Sequence, residues 1–260
     1  MKLEYVRLLS IQRDLYRIPR GPERFQEYLR TMLDPVTRDL RLPLGAMNPM
    51  AKHHVPQFLD MLESLGAEEA GARATQEASA SLAAEPGAYR VGLVVADDVA
   101  GGWTHRAAAE LSHRRGESTL ARRGWITGLL WASERYGPAE IREEALTSIF
   151  RISHVAKRGA ARTLRGLLIQ EGNAMRMAGA RNPVLEPHLL VRSREILRPL
   201  LDRDDDATLI AALFGDAAAR DLGHAPLGLP PRAGLAVALH GRLETRPRPY
   251  RGDPTDHANS

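Results

Sequence analysis

The sequence predicts a helix-rich α/β fold: a small, mostly parallel sheet of about three or more strands flanked by helices, with a helical C-terminal half. Three observations predict it. "YRVGLVVAD" and "GWITGLLWAS" are short, nearly continuous apolar runs, the composition of strands covered on both faces. A helix-patterned stretch separates them, as a parallel crossover requires. Beyond Pro138 the apolar residues recur at helical spacing alone.

In chain order, Leu3 to Tyr16 and Glu23 to Leu33 read as two amphipathic helices joined at "IPRGP", with Leu8 and Leu15 on the first stripe and Phe25, Tyr28, Leu29, Met32 and Leu33 on the second. "DLRLPLGAMNPM" is short, apolar and bounded by Pro43, Gly45 and Pro49, and reads as an irregular strand. "PQFLDMLESLG" has Phe58, Leu59, Leu62 and Leu65 on one face, Pro56 at a first helical position and Gly66 past the end, so a helix is expected. Ala67 to Ala84 continues as a second helix stopped by "EPGAY".

The first apolar strand follows, then a helix from about Thr104 to Arg115, then the second strand. Ile141, Ala145, Ile149, Ile152 and Ala156 form a stripe after Pro138, and Leu164, Leu167, Leu168 and Met175 form the next. Further helices are expected at Pro187 to Leu201, Ala207 to Leu213 and Arg232 to Leu239. The domain reading is a single helix-rich α/β domain over 1–241, with an internal division near 137, and a disordered tail over 242–260.

Composition excludes several chemistries. With no cysteine there are no disulfides, thiolate nucleophiles or cysteine-bound clusters, so any metal must use His, Asp or Glu. The opening segment is broken by Glu4, Arg7, Arg13 and Asp14, unlike a signal-peptide core, and no run nears the roughly 18 apolar residues of a membrane span. The expectation is a soluble, cytoplasmic protein without membrane partners, for which homo-oligomerisation stays open. A net charge of +4 does not by itself imply nucleic acid.

The candidate site follows from the rule that ligands of open α/β sheets bind beyond the carboxyl ends of the strands. Three loops fall there: "NPMAKHHVP", "DDVAGGWTH" and "SERYG". In the first, Pro56 is expected to keep Val55 outside the helix, leaving His53 and His54 as loop residues beside a helix start. In the second, Asp97 and Asp98 stand at a strand end and point to different sides by the period of two. Asp97 and His105 are the catalytic candidates, as general acid or base. Gly101, Gly102, Trp103 and Thr104 are the candidates for binding a substrate or anion, through close backbone approach and helix-start amides. Asp97, Asp98, His53 and His54 are the candidate ligands of a divalent metal. "GGWTH" is neither the dinucleotide fingerprint nor a P-loop, and no G-x-S-x-G or H-E-x-x-H occurs.

A third feature is the polar stripe Glu144, Thr147, Arg151, His154 and Arg158, spaced 3, 4, 3 and 4. It can close over the strand-end crevice or form a solvated face, the commoner fate of such stripes. The expected function is an enzyme acting on a small polar or anionic substrate at the strand ends, with a divalent metal as an optional cofactor. Two alternatives stand beside it. One is nucleic-acid binding, because Arg151 to Arg181 carries seven basic residues against Glu171 alone. The other is a non-enzymatic interaction scaffold built on the helical half.

Overall fold

The computed structural model describes residues 1–99, 104–115 and 119–241. Among them one sheet forms, with three parallel strands in the order β1 (Lys2–Tyr5), β2 (Ala88–Ala96), β3 (Trp125–Trp131). Leu3 pairs with Tyr89, and the β2–β3 register runs from Arg90 opposite Trp125 to Ala96 opposite Trp131. Strand β3 is buried along its whole length and β2 from Val91 onward, as a sheet covered on both faces demands. The crossover from β1 to β2 carries α1 (Leu8–Arg17), α2 (Pro22–Met32), α3 (His54–Ser64) and α4 (Ala67–Ser81). Helices α5 (Arg106–Arg114) and α6 (Thr119–Arg122) precede β3. After it come α7 (Pro138–Arg158), α8 (Leu164–Ala178), α9 (Pro187–Leu197), α10 (Asp206–Phe214), α11 (Asp216–Asp221) and α12 (Ala233–His240). The predicted α/β class with a helical C-terminal half is therefore what the chain adopts. No helix among the described residues is long and apolar enough to cross a membrane.

Three local expectations are corrected. The first helix does not begin at Leu3: residues 2–5 are the edge strand β1, and Gln12 of α1 takes over where β1 ends. Its amide donates to Val95 O at 3.1 Å, and its Oε1 accepts from Val95 N at 2.8 Å, satisfying β2 beyond its last β1 partner. The segment 39–50 is not a strand apart from one isolated bridge, Leu33 to Leu40. Leu44 and Met47 are buried, and side chains from α1 and α2 satisfy the loop's carbonyls: Tyr16 donates to Asn48 O at 2.5 Å and Tyr28 to Leu44 O at 3.3 Å. Finally, α3 starts at His54, with His53 as its cap, so Val55 lies inside the helix. Pro56 sits in the first turn, where its missing N–H costs nothing, and burial of Val55 overrides the preference of a pre-proline residue for extended backbone.

Two apolar clusters make the interior. One surrounds the sheet and includes Ile141, Leu146 and Ile149 of α7; the other joins the late helices to Ala107 and Leu111 of α5. Helix α5 contributes to the second cluster and α7 to the first. Helix α8 serves both, placing Ala174 and Ala178 in the first and Leu167, Leu168 and Met175 in the second. The tail 242–260 lies outside the described residues.

Candidate functional site

Asp97 follows the last residue of β2 and is 2% exposed. Its Oδ2 accepts from Asn48 Nδ2 at 2.8 Å, and His54 Nε2 donates to its Oδ1 at 2.8 Å, with Val99 N at 3.3 Å. Two of the three expected loops thus meet at a buried carboxylate, and His54 is oriented by it with Nδ1 as its second nitrogen. Asp98 turns the other way, as the strand period requires. It accepts from Ser133 N at 3.0 Å and Ser133 Oγ at 2.7 Å, and Arg106 Nη1 lies 3.4 Å from its Oδ2. The third loop, "SERYG", is therefore tied to the second through Asp98.

Arg106 carries the network onward. It contacts Glu110 at 2.9 Å and Glu134 at 2.7 Å, and its guanidinium lies over the Trp131 ring at 5.4 Å. These groups form one wall of a cleft of about 440 Å³ beyond the carboxyl end of β3. Its lining also includes Glu140, Glu143, Glu144, Thr147 and Arg151 of α7 and Ala180, Asn182, Pro183 and Val184. Glu144, Thr147 and Arg151 belong to the polar stripe read from the sequence. The stripe's other end turns away: His154 Nδ1 lies 3.4 Å from Asn173 Nδ2, and Arg158 is exposed.

The inner end of the cleft is built from buried charges. Arg151 grips Glu171 with two bonds, Nε to Oε1 at 2.8 Å and Nη2 to Oε2 at 3.0 Å, and Arg114 also donates to Glu171 Oε2. Arg114 reaches Glu110 at 2.8 Å as well. Burial pushes both carboxyls up, but the arginines outweigh it: Arg151 and Arg114 hold Glu171 at about 2, and Arg232, Arg114 and Arg106 hold Glu110 well below the usual range. His113 shows the opposite balance. Burial, then Arg151 and Arg114, push it down to about 3, so its ring is neutral, and its Nε2 is buried without a partner among the described residues.

Glu144, like Glu140 and Glu143, lines this cleft without an ion pair among the described residues. Its Oε1 accepts from Leu129 N at 3.1 Å and Ser148 Oγ at 3.2 Å, and no described residue bonds its Oε2. Burial raises its pKa against the opposing pull of Arg151 and Arg114. A carboxyl whose pKa is raised by burial in a cleft is a candidate general acid or base.

Of the candidates named from sequence, the structure brings together Asp97 and His54. Asp98 joins the Arg106 branch; His53 is exposed at the start of α3, and His105 is exposed as the cap of α5. Thr104 N lies 3.4 Å from Asp97 O, whereas Gly101, Gly102 and Trp103 lie outside the described residues. Among the described residues no three His, Asp or Glu side chains are arranged to hold a metal ion. Glu110, His113, Arg114, Glu171 and Arg232 are not site candidates in the sequence, because what distinguishes them is pairing between elements 20 or more residues apart; an acid alternating with arginines on α5 is the sole local sign. The basic stretch 151–181 is largely engaged internally, with Arg151 on Glu171, Lys157 on Glu85, Arg165 on Asp202 and Arg176 on Ala238 O. The chain matches no protein-family model, no curated protein and no solved structure.

Proposed function

We propose that the protein is an enzyme that acts on a small polar substrate held in the charged cleft beyond β3, with Glu144 transferring the proton. The observation that carries this reading is Glu144 itself: a partly buried carboxyl in the cleft lining, fixed through one oxygen by Leu129 N–H and Ser148, and making no ion pair among the described residues. Thr147 and Tyr136 add neutral polar groups to the same wall. Tyr136 is anchored because Trp131 N donates to its hydroxyl oxygen at 2.9 Å. Asp97 and His105 do not line the cleft; in this reading Asp97 orients His54 and secures the strand end beside it.

The test is a thermal-shift panel of small polar metabolites, with each stabilising compound then incubated with the protein and followed for product by proton NMR. At least one compound is expected to bind and to be converted. Glu144→Gln should bind that compound and convert it about a hundredfold or more slowly, the usual worth of a positioned proton donor. Repeating the panel with Mg²⁺, Mn²⁺ or EDTA reads metal dependence in the same assay. Conversion by Glu144→Gln at the wild-type rate overturns the assignment.

A further inference from the structure

We infer that the inner end of the cleft recognises an anionic oxygen group of its ligand, a carboxylate or a phosphate, through the guanidinium of Arg232. This deepens the reading of the cleft as a substrate site and rests on it.

The first ground is charge pairing. Arg106 is shared among Asp98, Glu110 and Glu134. That leaves three guanidiniums, Arg114, Arg151 and Arg232, around two carboxylates, Glu110 and Glu171. Arg114 and Arg151 are buried and bonded to those carboxylates at hydrogen-bond distance. Arg232 is the least tightly engaged of the three: its Nη1 makes a loose ion pair with Glu110 Oε1 at 3.6 Å, beyond a hydrogen bond, and its side chain lines the cleft and is 35% exposed. Glu144 makes no ion pair with it among the described residues.

The second ground is backbone geometry. Arg232 caps α12 in the left-handed region, at φ 58° and ψ 24°, a conformation that a long side chain rarely adopts. Its N–H donates to Phe214 O at 3.0 Å, which fixes the cap, and the two prolines before it stiffen the approach. Non-glycine residues held this way gather where a side chain must be aimed, and here the aim is the cleft. Glycine would meet the turn's needs without strain.

Glu140 and Glu143 also line the cleft, so a polyanion would be repelled more strongly than a molecule with one anionic end.

The test uses isothermal titration of the full chain with inorganic phosphate and, in a second arm, with malonate, at low ionic strength in chloride buffer. Wild type is expected to bind one anion per chain in at least one arm, and the stronger arm distinguishes phosphate from carboxylate recognition. Arg232→Gly removes the guanidinium while suiting the left-handed backbone, so it should fold with an undiminished melting temperature and bind the anion at least about tenfold more weakly. Arg165→Ala, at an exposed arginine, should bind as wild type does. Equal affinity in Arg232→Gly, equal weakening in Arg165→Ala, or no binding of either anion by wild type overturns the inference. If the metabolite panel yields a converted compound lacking an anionic group, the cleft stands as the substrate site and this inference alone falls. If phosphate or malonate binds and no compound is converted, the reverse holds.

Discussion

Replacing Glu171 with leucine strands the buried guanidinium of Arg151 and takes one of two carboxylate partners from that of Arg114. Glu171 is 0% exposed, Arg151 is 2% exposed and Arg114 is 8% exposed, and Glu171 accepts two bonds from the first and one from the second. After substitution Arg151 keeps a 3.5 Å approach to Ser148 Oγ, while Arg114 keeps Glu110. Removing one partner of a buried pair costs about 3–5 kcal/mol, because the remaining charge stays desolvated. At about 2–4 °C per kcal/mol for a chain of this size, the melting temperature should fall by about 10 °C. Urea unfolding of wild type, Glu171→Leu, Arg151→Met and the double variant measures it. The double variant should recover a coupling energy of about 2 kcal/mol or more, since the stranded charge is gone. A loss below about 1 kcal/mol, the scale of an exposed pair such as Arg13 with Asp60, would refute the reasoning.

Three other outcomes follow from the same geometry. His113 is neutral in the folded protein, with its pKa lowered from 6.5 to about 3, so the unfolded chain binds the extra proton between those values. Stability is then present above pH 6.5 and lost as pH falls toward 3, by roughly 4 kcal/mol, and His113→Gln should flatten the pH dependence of urea unfolding in that window. Gly172→Ala would gain about 1 kcal/mol by helix propensity alone. Its Cβ would lie 2.3 Å from Ala238 O, so calorimetry should instead show a loss of about 1–3 kcal/mol, and a neutral result would mean that α8 and α12 separate easily. Asp97→Ala leaves the buried Asn48 amide without its acceptor and frees His54, at a cost of about 1–3 kcal/mol in urea unfolding.

That last outcome sets Asp97 apart from the strand-end loop residue that the sequence shows. The difference is burial, which a strand-end loop does not advertise. The sheet was legible where it is covered on both faces, because β2 and β3 are unbroken apolar runs. Strand β1 was not, since its four residues run into α1 and the alternation of Leu3 and Tyr5 is too short to stand apart from the helical pattern that follows. Segment 39–50 looked like a strand because it is apolar and short; its carbonyls are satisfied by tyrosines 16 to 32 residues away. The meeting of the His54 and Asp97 loops followed from the strand-end rule. The cleft's inner charges did not: Glu171 sits in a helical pattern, and the partners that define it lie on α5 and α7.

The central claim is that the cleft walled by Arg106, Glu144 and Thr147 receives the substrate. Amide chemical-shift mapping by NMR, with a stabilising compound from the metabolite panel, tests it most directly. The account predicts that the largest shifts fall on Leu129, Trp131, Glu144, Thr147 and Arg232, and that they saturate together. Shifts confined to residues outside the cleft, with these five unmoved at saturation, would contradict it.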